Sequence, residues 1–165
     1  MVKSTLALVL FFFSAFSMAL DVGDKAPQIV GRSIEGGLFA LTRMEAKPKV
    51  INFFWVDCKP CKEEIPLLAA KEAKYPNVAF AVVHAEKNAA SDANYDVEDI
   101  QAFAKTLSAH PKNLVLGSDR LKQQYGIESF PISFLLSADN KVEQVLIGFN
   151  QKTVDQLVGW LDQQN

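Results

Sequence analysis

One stretch limits what this chain can fold into more than any other: Lys49-Val50-Ile51-Asn52-Phe53-Phe54-Trp55, a near-continuous run of β-formers. A strand with one wet face would alternate apolar and polar residues, so this run reads as a strand buried on both faces. Pro48 stops whatever precedes it. From Pro60 the pattern turns helical, with Ile65, Leu68, Ala69, Glu72 and Ala73 at 3–4 spacing until Tyr75-Pro76-Asn77. Val78 to His84 is a second buried strand, and the polar, small residues from Ala85 to Tyr95 form a loop.

The same alternation continues to the end. Val97 to Leu107 reads as a helix with Ile100, Phe103, Ala104 and Leu107 on one face, and Leu114-Val115-Leu116 as a short strand. Asp119 to Tyr125 is a helix capped by Ser118 or Asp119 and stopped at Gly126. Ile132–Leu136 and Val142–Ile147 flank the hairpin signal Asp139-Asn140, and Thr153 to Leu161 closes the chain as a helix. Upstream, an extended stretch from Ala26 to Ser33, the turn Gly36-Gly37 and the strand Leu38 to Leu41 make a hairpin. After that hairpin the order βαβαβαββα predicts an α/β sandwich, its sheet mostly parallel and ending in an antiparallel hairpin.

Residues 1–19 stand apart from the fold. Lys3 precedes an apolar run from Leu6 to Phe16, and Ser17-Met18-Ala19 places small residues where a signal peptidase cuts. The apolar stretch Leu6 to Leu20 falls short of the roughly 20 residues that span a bilayer. The expected organisation is a signal peptide at 1–19 and one domain at 20–165, with an uncleaved anchor as the alternative. A lipid anchor near the cut is excluded, because the only cysteines are Cys58 and Cys61. A net charge of −2 offers no basic stripe for phosphates, so nucleic acid is not an expected partner. Two Cys and two His also rule out a disulfide-stapled mini-protein and a four-cysteine zinc site.

The chemistry concentrates at Cys58-Lys59-Pro60-Cys61, where the buried strand gives way to the helix. Cys58 falls at the helix N-terminus, where free N–H groups and the positive dipole end favour a thiolate, the nucleophile of disulfide exchange. Two intervening residues bring Cys61 back over the first turn, close enough to attack a mixed disulfide. A structural disulfide gains stability by closing a long loop, and this pair closes a tiny ring. A metal site would need His84 and His110 to converge on the pair, and neither has ligand spacing to it. His84 reads instead as the polar end of a strand and His110 as part of a His-Pro turn.

Cys58-x-Pro60-Cys61-x-x-Glu64-x-Pro66 resembles the active-site signature of the TlpA/ResA/CcmG branch of the thioredoxin superfamily. Tyr125 to Phe134 resembles the segment carrying that family's cis-proline, here Pro131, and Gly23 to Pro27 resembles its N-terminal extension. The resemblance implies a thioredoxin-like α/β fold, a central mixed sheet flanked by helices with an N-terminal β-hairpin extension. It implies Cys58, Cys61 and Glu64 as catalytic residues, with Glu64 an acid of raised pKa that moves protons during exchange. Pro131, Phe130 and Trp55 would border the substrate, with Asn52 and Pro60 in support; Asn52 stands where thioredoxin has a buried Asp. The chain departs from the family at Asp57, where Trp is frequent, and at Phe130, where Thr or Val is usual.

The function so implied is an exported thiol–disulfide oxidoreductase, periplasmic or otherwise extracytoplasmic, a reductant of protein disulfides as in cytochrome c maturation. It would be a monomer with no cofactor beyond the Cys58–Cys61 redox disulfide and no metal, fed by a membrane or periplasmic dithiol donor. The competing readings are a disulfide-forming oxidant and a non-catalytic binding module of the same fold. A thiol peroxidase would need Thr or Ser where Trp55 stands, and a copper-delivery protein would want CxxxC. Mass spectrometry of protein recovered from its native host should find a mature N-terminus at Leu20; intact Met1 in membranes would favour the anchor.

Overall fold

The computed structural model describes residues 20–44, 46–85 and 95–164. The leader expected at 1–19 and most of the loop expected at Ala85–Tyr95 lie outside the described residues. Seven strands form one sheet: β1 (Val30–Ser33), β2 (Leu38–Ala40), β3 (Lys49–Phe54), β4 (Ala79–His84), β5 (Leu114–Leu116), β6 (Ile132–Leu136) and β7 (Val142–Ile147). Between and after them come α1 (Lys59–Lys74), α2 (Val97–Ala104), α3 (Asp119–Gln124) and α4 (Gln151–Asp162).

The strands lie in the order β2-β1-β5-β4-β3-β6-β7. The element sequence is the expected one, but the sheet is not mostly parallel. Only β3–β4 and β4–β5 run parallel. The hairpins β1–β2 and β6–β7 each join this parallel centre through an antiparallel contact, β1 on β5 and β6 on β3. Two hairpins attached to a three-stranded centre make the sheet mixed.

β3 sits inside the sheet, paired on both sides and buried at all six of its residues. Its side chains alternate between two cores, as the period of two requires. Val50 and Phe54 join Ile65 and Leu68 of α1, Phe103 of α2 and Trp160 of α4; Ile51 and Phe53 join Leu121, Tyr125 and Phe134 on the other face. Asn52, between Val50 and Phe54, is therefore committed to the α1 face. Lys49 is a surprise at 1% exposure. Its ammonium donates to the carbonyls of Lys47 at 2.8 Å and Ala138 at 3.3 Å, and burial lowers its pKa.

Two helix ends differ from expectation for local reasons, and a third matches it. α4 begins at Gln151, earlier than Thr153, because Asn150 and Thr153 form a capping box: Thr153 N–H donates to Asn150 Oδ1, and Asn150 N–H to Thr153 Oγ1. α2 stops at Ala104, short of Leu107, where the Thr106 hydroxyl donates to the Phe103 carbonyl. Ser118 takes the N-cap position of α3 without a side-chain bond.

The N-terminal hairpin docks through Gly31. A Cβ there would lie 2.4 Å from the Leu116 carbonyl oxygen and 2.6 Å from Val115 Cγ1, so only glycine lets β1 approach β5 this closely. Gly31→Ala should therefore cost about 1–3 kcal/mol, as overpacking does. A lowered urea midpoint at unchanged m would show it, and an unchanged midpoint would refute the close approach.

Candidate active site

β3 ends at Phe54 and α1 starts at Lys59, so residues 55–58 carry the chain around one tight corner. The Cys58 N–H closes it on the Trp55 carbonyl at 3.1 Å. Cys58 is the N-cap of α1, and its Sγ accepts the Cys61 N–H at 3.2 Å. A sulfur thus fills the capping role that an oxygen usually takes, directly over the positive end of the helix. Pro60 lies in the first turn, where its missing N–H costs nothing. The two cysteines are joined as a disulfide across a Cα separation of 5.2 Å. Cys58 keeps 4% of its surface exposed and Cys61 none, so the first sulfur is the one a partner can meet.

Glu64 follows Cys61 by three residues on α1, on the same face of the helix. It is not a solvated charge: 6% of it is exposed. Asn52 Nδ2 donates to Glu64 Oε2 at 2.8 Å and to Ser133 Oγ at 2.9 Å. Asn52 and Ser133 are direct cross-strand partners in the β3–β6 register. Burial raises the Glu64 pKa from 4.5 to about 7, against the pull of the Asn52 hydrogen bond. A carboxyl that trades its proton near neutrality therefore lies one turn from the buried sulfur.

The Phe130–Pro131 peptide bond is cis, and Pro131 directly precedes β6. Ile132 pairs with Phe53 near the end of β3, so the register brings Pro131 to the same end of the sheet as the disulfide. Phe130 and Trp55 are half-buried and pack against the core cluster that contains both cysteines. Asp57 and Lys59 are exposed on either side of Cys58. Lys62 and Lys74 are also exposed, lying over the rings of Phe103 at 5.7 Å and Tyr75 at 4.9 Å.

Sequence reasoning missed Ser133, a lone hydroxyl in the apolar strand Ile132–Leu136 whose only signal was sharing a face with Leu135. His84 ends its strand as expected, and the structure adds what surrounds it. It is 2% exposed, its ring packed edgewise against Phe54 and Tyr95. Burial lowers its pKa from 6.5 to about 4, outweighing the opposite pull of Asp99. His110 lies in irregular chain between α2 and β5 rather than in a turn, its Nδ1 2.9 Å from the Pro111 carbonyl oxygen. Among the described residues, no group of three or more His, Cys, Asp or Glu is placed to hold a metal.

A family model described as AhpC/TSA family matches residues 22–145. The thiol-disulfide oxidoreductase ResA of Bacillus thuringiensis is 27% identical over 149 residues, 90% of this chain and 82% of that one. A thiol:disulfide interchange protein of the thioredoxin family from Chlorobium tepidum superposes with a TM-score of 0.65 at 21% identity, covering 87% of this chain and 99% of that one. StoA from Bacillus subtilis gives 0.60 at 22% identity, covering 82% and 96%. The fold is thioredoxin-like.

Glu64 and His84 bias stability in opposite directions. Glu64, raised from 4.5 to about 7, contributes stability that is complete below 4.5 and lost as pH rises through 7. His84, lowered from 6.5 to about 4, contributes stability that is complete above 6.5 and lost as pH falls through 4. Each spans roughly 3 kcal/mol, and between pH 4.5 and 6.5 the two slopes offset. Relative to wild type, oxidised Glu64→Gln protein should gain stability as pH rises across that window, and His84→Phe should lose it. Urea unfolding at stepped pH checks both; parallel curves for all three proteins would refute the assignment.

Proposed function

The chain belongs to the AhpC/TSA family and is a thiol–disulfide oxidoreductase, and we propose that it reduces protein disulfides outside the cytoplasm, as in cytochrome c maturation. The observation that carries this reading is the disulfide at the N-terminus of α1, one cysteine keeping a sliver of exposure and the other fully enclosed and backed by a buried carboxyl. In the reduced enzyme the Cys58 thiolate attacks one sulfur of a client disulfide. That bond breaks, a mixed disulfide forms and the first client thiolate leaves. Cys61 then passes its proton to the Glu64 carboxylate and attacks the Cys58 sulfur. The mixed disulfide breaks, Cys58–Cys61 forms, and the second client thiolate leaves and is protonated. Two electrons have passed to the client, and a dithiol donor restores the enzyme.

The environment of Cys58 supports the reducing direction. An oxidant of this chemistry draws its power from a stabilised reduced form. Here the near-complete burial of Cys58 works against the helix end that favours its thiolate, and the exposed carboxylate of neighbouring Asp57 adds to that opposition. The bonding of the client segment is assigned to Phe130 beside Pro131, with Trp55 as an apolar neighbour. Pro60 supports the first turn of α1 and Asn52 supports Glu64. The export signal at 1–19 delivers the domain to the periplasm, where it works as a monomer without metal or added cofactor.

Equilibration with glutathione or dithiothreitol should place the Cys58–Cys61 potential near about −250 mV; a value near about −120 mV would reverse the direction. With a dithiol donor the protein should reduce insulin, which a binding module would not do. Cys61→Ala should accumulate mixed disulfides with client, and Cys58→Ala few. Equal trapping by both would exchange the roles of the two sulfurs.

A further inference from the structure

We infer that Asn52 and Ser133 are positioning residues that act together as a reversible hydrogen-bond relay, decide which oxygen of Glu64 carries its proton, and let that carboxyl change charge without repacking the core. This deepens the reading of Glu64 as the proton carrier and rests on that reading for its use in turnover.

The geometry carries the inference. Asn52 is fully buried, and its amide nitrogen spends both hydrogens, one on Glu64 Oε2 and one on Ser133 Oγ. Because Ser133 faces Asn52 across the β3–β6 register, the second bond fixes the plane of the amide. While the amide donates to Oε2, a proton arriving at Glu64 settles on Oε1, and with the amide turned over the proton sits on Oε2, facing Oδ1. Asn52 Oδ1, at the other end of the amide, is buried with no hydrogen-bond partner among the described residues. Turning the amide over would put the two lone pairs of Oδ1 where the two N–H bonds now lie. Oδ1 could then accept from a protonated Glu64 and from the Ser133 hydroxyl, which donates as readily as it accepts. Both arrangements make two bonds, but the second leaves buried N–H groups unpaired in place of a carbonyl, so the amide turns over only when the proton on Glu64 demands an acceptor.

These chemical requirements are specific. An Asp at position 52 can only accept, and would set a second carboxylate against Glu64. An apolar residue at position 133 leaves one Asn52 N–H unpaired in the ionised arrangement, which costs more than an under-used carbonyl in the neutral one. Other groups around Glu64 do not duplicate the relay. Lys62 and Glu63 on α1 are exposed, the cysteines are held as a disulfide, and among the described residues no charged side chain contributes to its pKa.

The test uses the oxidised full chain, in which neither cysteine titrates. Carbon-labelled Glu64 followed by NMR or infrared should titrate near pH 7 in wild type. Ser133→Val should raise the midpoint by about one unit, a tenfold change in the proton equilibrium, while Ser133→Thr, of the same shape with a hydroxyl, should restore it. Asn52→Asp should raise it further. In the wild-type protein, the Asn52 side-chain amide resonances should shift with the midpoint of Glu64. An unmoved midpoint in Ser133→Val, failure of Thr to rescue it, or amide resonances indifferent to the Glu64 titration would overturn the relay. Should Ser133→Val not fold, the wild-type amide titration decides alone. If the Glu64 midpoint moves as expected while the pH profile of insulin reduction does not, the relay stands and the role of Glu64 in turnover falls.

Discussion

Everything in this molecule is referred to β3. It is paired on both sides, covered on both faces and fully buried, so it has no freedom to slide or tilt. A one-residue slip would drive Asn52 and Lys49 into the wrong cores and expel Phe53 or Phe54 from the right ones. Because α1 follows after a corner of four residues, the immobility of the strand passes directly to Cys58 at the helix cap. The disulfide owes its position to the strand and its electrostatics to the helix. Neither element would suffice alone.

Much of this was legible in the residues, for identifiable reasons. The β6–β7 hairpin falls where Asp139-Asn140 and the flanking apolar runs put it, because that turn needs a residue tolerant of positive φ and Asn140 adopts 65°. The CxxC corner was readable because a change from continuous β-formers to helical spacing marks where the chain must bend. Other features were hidden. The parallel character of the sheet was overestimated, since strand order follows from which hairpin docks on which edge, a long-range choice that local pattern does not encode. α4 began early because Asn150 and Thr153 satisfy each other's backbone, a reciprocity visible only once both are seen as a pair.

Buried polar residues were the hardest to read. Lys49 and His84 look like strand ends and Ser133 like an incidental hydroxyl, yet all three are enclosed. What encloses them comes from remote parts of the chain: the Ala138 carbonyl for Lys49, Tyr95 for His84, Asn52 for Ser133. Asn52 was readable as a supporting residue only through its place in the motif. Its partnership with Ser133 spans 81 positions and could emerge only from the register.

The first residues of the domain have a geographic consequence. Gly23 N–H bonds to the Val142 carbonyl and Ala26 N–H to that of Asn140, tying the start of the domain to the turn between β6 and β7. That turn lies beside the beginning of β3, whereas the redox corner lies beyond its end. The six residues of β3 set the two apart by roughly 20 Å. Anything that grips the clasp therefore holds the domain by the pole opposite its sulfurs and leaves the redox corner open, as a lamp is held by its base.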